Sequence, residues 1–273
     1  MAAAVREKSK LMNVSIKDPV ISLDDKYRLD CPTTLINGRQ ALVRLPLAQR
    51  ELDRRHGLKT AGLISGYRGS PLGNYDLELW RAGSLLQDND ILFQPGLNED
   101  LALTALSGSQ LLDLIPGRKV DGVFALWYGK GPGVDRSGDA IKHANLQGVA
   151  PNGGVLLVFG DDHAGKSSTT AHQSDLTLGS WEVPILYPSS VAEVLQLGLA
   201  GIALSRYSGL VVSLKLVNET ADGTAVIHSP QMPEFVLPDL PLPEGGVHAR
   251  RESLAMQQRD LRVIRHKLPR AQA

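Results

Sequence analysis

Apolar positions fall into short continuous runs separated by longer stretches with helical spacing. The runs are Ala61–Ser65, Ile91–Phe93, Val120–Leu126, Gly154–Phe159, Pro184–Leu186 and Leu210–Leu216, each closing on a glycine or a turn. A strand that reads as an unbroken apolar run is buried on both faces. Between the runs, Tyr75–Leu86, Glu99–Leu114, Asp135–Leu146 and Val191–Ser205 repeat apolar residues every three or four positions, as helices do. Strand and helix alternating at this spacing predict an α/β, doubly wound, mostly parallel six-stranded sheet with helices on both faces. Ahead of it, Gly38–Gly57 reads as a helix that Pro46 should kink or restart. Gly160–Gly179, polar and rich in Ser and Thr, reads as a poor helix former.

The flanks differ from this middle. Residues 1–35 are polar and aperiodic and read as an N-terminal arm, and residues 36–220 carry the α/β pattern. Residues 221–250, with Pro230, Pro233, Pro238, Pro241 and Pro243, read as a Pro-rich linker. Residues 251–273 read as a charged helix with a thin apolar stripe of Leu254, Leu261, Ile264 and Leu268. A linker followed by such a helix predicts a connection to a further, missing domain; the other reading is a docking tail.

Charge and cysteine narrow the function. Twenty-nine basic residues balance twenty-nine acidic ones, against the cationic excess of a nucleic-acid or membrane-surface protein. With Cys31 the one cysteine, the chain has no internal disulfide and no cluster for an iron–sulfur centre or cysteine-rich zinc site of its own, and it reads as cytoplasmic. No run of about 18 apolar residues predicts a membrane span. His143, His163 and His172 show neither ligand spacing nor an acid partner, so no metal site is expected.

Glycine-rich segments follow four of the runs. Gly160-Asp161-Asp162-His163-Ala164-Gly165-Lys166-Ser167 fits the phosphate-loop pattern after a strand. Two aspartates inside the phosphate cradle and poor helix formers after Lys166 count against nucleotide binding there. In Ser65–Gly73, Pro71 suits the first turn of the next helix and Ser70 its cap, and Arg68 among glycines suits a carboxylate or phosphate. In Asn98–Gly108, Glu99 opens a helix of small and apolar residues, a place that the helix dipole alone also explains. Tyr128–Arg136 brings three more glycines and a proline. Ligands of open α/β sheets bind outside the carboxyl ends of the strands, where these four loops should converge.

Taken in order, these segments resemble a family. Ser65–Gly73 with Asp76, Gln94–Glu99 with Gly108, Trp127–Asp135, and Gly160-Asp161-Asp162 followed by Ser167-Ser168 are similar to the 2-oxoacid:ferredoxin oxidoreductases. The similarity is to the pyrimidine-binding, N-terminal domain of fused indolepyruvate ferredoxin oxidoreductase-type proteins, and it covers about Ser22 to Asn218. It implies that Glu99 is the catalytic acid that hydrogen-bonds a ring nitrogen of thiamine diphosphate. Asn98, Gly66, Gly129 and Gly131 would then lie beside the cofactor, and Tyr67, Arg68 and Ser70 beside the substrate. Asp161, Asp162, Ser167 and Ser168 would form a polar loop at a domain interface.

The implied reaction is oxidative decarboxylation of a 2-oxo acid, indolepyruvate-like, to an acyl-coenzyme A, with electrons passing to ferredoxin. No Gly-Asp-Gly motif and no cysteine cluster occur in the chain. The resemblance therefore implies that Mg2+, iron–sulfur clusters and the diphosphate site come from diphosphate-binding and gamma-type domains or subunits. It also implies a homodimer or larger assembly, and a chain inactive by itself. The alternatives are a non-catalytic interaction module that retains the fold, and a phosphate-loop nucleotide-binding protein.

Overall fold

A computed structural model describes residues 22–228, 233–250 and 255–273. The expectations for residues 1–21, Pro230 and Leu254 lie outside the described residues. The strands are β1 (Thr33–Asn37), β2 (Thr60–Gly66), β3 (Ile91–Phe93), β4 (Gly122–Lys130), β5 (Val155–Gly160), β6 (Ile185–Leu186), β7 (Val212–Leu216) and β8 (Thr224–His228). Six of them form the expected parallel sheet, in the order β3-β2-β4-β5-β7-β6.

Alternate residues of the central strands feed two cores, as strand geometry requires. Phe124, Leu126 and Tyr128 of β4 and Leu156 and Val158 of β5 join α1 (Gly38–Arg55), α2 (Tyr75–Arg81), α3 (Gly83–Asp88) and, later in the chain, the helix Val191–Ser208 on one face. Ala125 and Trp127 of β4 and Val155, Leu157 and Phe159 of β5 join the other face. There lie α4 (Glu99–Ser109), α5 (Gly131–Arg136), α6 (Gly138–Gln147) and α7 (Asp175–Ser180). The helix Val191–Ser208 is α8, and α9 (Asn218–Asp222) precedes β8.

Several local expectations are corrected. Pro46 neither restarts nor interrupts α1. The carbonyl that its missing N–H would leave unpaired, that of Leu42, accepts a hydrogen bond from the buried Tyr75 hydroxyl at 3.2 Å. The helix expected over Tyr75–Leu86 is α2 and α3, broken at Ala82, and the one over Asp135–Leu146 is α5 and α6, broken at Ser137. Ser70 caps no helix and Pro71 opens none, because α2 starts at Tyr75 behind Asn74. Tyr128, Gly129 and Lys130 belong to β4, which runs four residues past Leu126. Residues 224–228, placed by the sequence in the linker, form β8, which pairs antiparallel with β1 in a small second sheet.

Of the described residues after β8, Phe235 and Pro238 lie against the domain near α8. Phe235 packs on the main core, and the Tyr207 hydroxyl donates to the Pro238 carbonyl. The chain ends in α10 (Met256–Arg262), a π-helical turn over Val263–Lys267, and α11 (Leu268–Gln272), which contacts α8. Among the described residues no helix is long and apolar enough to cross a membrane.

Candidate functional site at the carboxyl edge of the sheet

Glu99 is the first residue of α4, held there by its neighbour. The Asn98 side chain accepts from the Leu101 N–H at 2.8 Å, so the residue expected beside a cofactor is the helix cap. The Trp127 indole N–H reaches across from β4 to the Glu99 carbonyl at 2.9 Å. The Glu99 side chain is only 8% exposed. Among the described residues nothing hydrogen-bonds or ion-pairs its carboxylate. The positive end of α4 favours a negative charge at this point.

Gly133 makes the room for this carboxylate. A β-carbon there would stand 2.7 Å from Glu99 Cγ and Oε1. Gly133 lies in α5, so the third glycine-rich segment and the second meet at Glu99. Tyr67, Leu97 and Leu101, on the loop after β2 and about the start of α4, are exposed.

The four loops follow β2, β3, β4 and β5, which are adjacent in the sheet, and they are tied together. The Gly96 N–H donates to the Gly66 carbonyl at 2.9 Å, and the Tyr67 N–H to the Tyr128 carbonyl at 3.0 Å. The Ser70 N–H donates to Ser167 Oγ at 3.0 Å, and Lys130 Nζ to the Ser167 carbonyl at 2.9 Å. The space left at Gly66 is filled by Tyr128, that at Gly129 by Trp127 and that at Gly131 by His172. These three glycines let the loops interlock, while Gly133, which the sequence did not single out, borders the acid.

The polar loop after β5 explains why the phosphate-loop pattern is not a phosphate site. Asp161 and Asp162 are fully buried. Asp161 accepts from the Ser174 N–H at 2.8 Å and hydroxyl at 2.7 Å, and pairs with Lys215 at 3.2 Å. Lys215 also bonds Asp175. Asp162 accepts the Ser167 N–H at 2.9 Å, so the loop's own carboxylate occupies a donor that a phosphate would need. Burial acts to raise the Asp162 carboxyl. The N–H groups of Ser167 and Lys166, the Asn218 side chain and the Lys166 charge outweigh it and hold the group below its ordinary value. No helix starts at Lys166, and the next one begins at Asp175. Ser168 Oγ is buried without a partner among the described residues.

Arg68 is exposed and only loosely paired, its Nη1 3.9 Å from Asp76. A pair that loose and that wet holds the guanidinium weakly. Two of the histidines do have acid partners. His172 Nδ1 lies 3.7 Å from Asp135 and His143 Nε2 3.7 Å from Asp139. Among the described residues no three His, Cys, Asp or Glu side chains gather as a metal site. The structure thus brings together Glu99, Asn98 and the loops bearing Tyr67, Arg68, Ser70, Ser167 and Ser168, while Asp161 and Asp162 are taken up in the loop's own framework.

Comparison with known proteins bears on the fold. No protein family and no curated protein matches the sequence. Among solved structures, the chain is similar to a 2-oxoglutarate:ferredoxin oxidoreductase from Magnetococcus marinus, with a TM-score of 0.53 and 16% identity over 82% of this chain. A thiamine diphosphate-dependent 4-hydroxybenzoylformate decarboxylase from Rhodococcus jostii RHA1 also matches, at a TM-score of 0.46 and 12% identity, over 65% of this chain and 30% of its own. The chain is therefore an α/β domain with a fold that a 2-oxoacid oxidoreductase also contains. It spans about a third (34%) of that oxidoreductase chain.

Proposed function

We propose that this chain is the pyrimidine-binding half of a thiamine diphosphate-dependent 2-oxoacid:ferredoxin oxidoreductase. The observation that carries the reading is Glu99: a residue only 8% exposed, whose carboxylate has no hydrogen-bond or ion-pair partner among the described residues, at the helix start where four loops converge. Such a group fits a cofactor ring nitrogen with which it would share a proton, and Gly133 leaves the room it needs.

When bound, thiamine diphosphate supplies a carbon nucleophile and an electron store. The chain's own part is narrower. Glu99 holds or gives a proton at the ring nitrogen, within hydrogen-bond reach of its carboxylate. Asn98 fixes the helix end that carries it. Tyr67, Leu97 and Leu101 form an apolar rim that excludes water once a second domain closes over the edge. Arg68, loosely held by Asp76, is free to turn toward a substrate carboxylate, with Ser70 beside it.

The half-site needs a diphosphate-binding domain and an electron-carrying, gamma-type domain, with Mg2+ and iron–sulfur clusters held there. The substrate class is a 2-oxo acid, and the sequence resemblance favours an aryl-pyruvate such as indolepyruvate. Coenzyme A would accept the acyl group and ferredoxin the electrons.

The test is reconstitution. The chain is mixed with a diphosphate-binding domain of this class, the electron-carrying domain, thiamine diphosphate, Mg2+, coenzyme A and a 2-oxo acid, and reduction of a viologen dye is followed. The mixture should reduce the dye, and the chain alone should not. Calorimetry showing no thiamine diphosphate bound even with the partner domain present would refute the reading in favour of a non-catalytic interaction module.

A further inference from the structure

Lys130 is the last residue of β4, and its side chain crosses the candidate site. Gly69, in the loop after β2, makes the crossing possible. A β-carbon there would stand 2.5 Å from Lys130 Cδ, 2.8 Å from Cγ and 3.2 Å from Cβ, so the stem lies against the segment between Arg68 and Ser70. Beyond it the ammonium reaches the loop after β5, where Nζ donates to the Ser167 carbonyl at 2.9 Å. The hydroxyl oxygen of the same serine accepts from the Ser70 N–H at 3.0 Å. One cation is thus rooted on β4, steadied on a second loop and pinned at its head on a third.

An ammonium carries three N–H donors and no acceptor. The Ser167 carbonyl takes one of the three, and among the described residues no other acceptor and no carboxylate pairs with Lys130. The neighbouring cations are placed differently. Lys215 is closed off between Asp161 and Asp175. Arg68, its side chain 69% exposed, leans on Asp76 at 3.9 Å. Lys130 alone of these three is both held in place by the chain and left with donors to spare. Ordering a lysine side chain costs entropy, and here the fold has met that cost before any ligand arrives.

We propose that Lys130 anchors the carboxylate of the 2-oxo acid substrate, with Arg68 turning in from Asp76 as a second, mobile contact. The inference rests on the function proposed above for this site. One positive charge with two spare donors suits a carboxylate, and a charge-assisted hydrogen bond of this kind is among the stronger ones. The kinetic signature follows from the reaction. As carbon dioxide leaves, the bonding pair stays behind and the carboxyl group loses its negative charge. An ammonium bound to that carboxylate therefore stabilises the substrate at least as well as the transition state. Its loss should raise KM and leave kcat undiminished.

The experiment compares the wild-type chain with Lys130→Gln, Lys130→Arg and Gly69→Ala in the reconstituted enzyme, on indolepyruvate, pyruvate and 2-oxoglutarate. Thiazolium deuterium exchange is read without substrate, and KM and kcat of dye reduction with it. Lys130→Gln keeps an N–H donor for Ser167 and loses the charge. It should raise KM about tenfold or more, hold kcat within about twofold and leave the exchange rate unchanged. Lys130→Arg, which keeps the charge, should recover most of that loss. Gly69→Ala should raise KM in the same way, because its methyl displaces the lysine stem. A wild-type mixture that exchanges no thiazolium proton overturns the function proposed for the site, and the inference with it. Normal exchange with KM unmoved in Lys130→Gln, with kcat falling as much as KM rises, or with none of the three acids turned over, overturns the inference alone.

Discussion

Replacing Gly133 with alanine sets two effects of opposite sign against each other. Gly133 lies inside α5, where alanine is the better helix former by about 1 kcal/mol. The added methyl would stand 2.7 Å from Glu99 Cγ and Oε1 and 3.0 Å from Cδ, closer than van der Waals contact permits. Forcing a methyl into a packed site costs about 1–3 kcal/mol when backbone must move, and less when a side-chain end can rotate away. The Glu99 carboxyl has no hydrogen bond among the described residues to lose, so it is the part that yields.

Gly133→Ala should therefore change the unfolding free energy by less than about 1 kcal/mol, because propensity and crowding offset. It should nevertheless shift the carboxyl away from its place, read as a changed 13C signal of Glu99. In the reconstituted enzyme it should lower dye reduction about tenfold or more, since a displacement of about 1 Å can cost a factor of a hundred. An unchanged carboxyl signal with full activity would refute the reasoning. So would a stability loss above about 3 kcal/mol, which would mean that the acid cannot turn aside.

Three other outcomes follow from the geometry. Asp53 is buried and accepts from both terminal guanidinium nitrogens of Arg206 at 2.6 and 2.9 Å, joining α1 to α8. It also accepts from Gln49 at 2.8 Å and Thr60 at 2.6 Å. Asp53→Ala should cost about 3–5 kcal/mol in urea unfolding, and a loss below about 1 kcal/mol would deny the pair its structural role. Asp162 is held below its ordinary value of 3.8, so its contribution is present above that pH and is lost as pH falls through the lowered value. The wild-type chain should lose stability over that acid range more steeply than Asp162→Asn, and parallel curves would contradict the assignment. ATP should show no saturable binding to either the wild-type chain or Lys166→Ala, because Asp162 already occupies the Ser167 N–H. Binding abolished by Lys166→Ala would restore the phosphate-loop reading.

What the sequence revealed and what it hid follow from the range of the forces involved. The buried strands were legible because a strand covered on both faces is apolar throughout, as Val155–Phe159 is. The end of β4 was not, because Gly129 beside Trp127 and Gly131 beside His172 look like turn glycines until the side chains filling their space are known. The β1–β8 sheet pairs segments from opposite ends of the domain, and no local pattern reports such a partner. Pro46 misled for the same reason, since its remedy is the distant Tyr75 hydroxyl.

At the candidate site, the position of Glu99 at a helix start could be read directly from Asn98-Glu99 before an apolar stretch. Its want of a partner could not, because that depends on everything folded around it. The same holds for Lys267, a surface residue by composition and one of the most deeply buried cations by structure.

Glu99→Gln tests the central claim most directly, because glutamine keeps the shape and cannot exchange the proton. In the chain reconstituted with a diphosphate-binding domain and thiamine diphosphate, the rate at which the reactive thiazolium proton exchanges with deuterium is followed by NMR. The account predicts a rate about 10²–10⁴-fold lower in the variant, with cofactor still bound and unfolding unchanged. Equal exchange rates in the two proteins would contradict it.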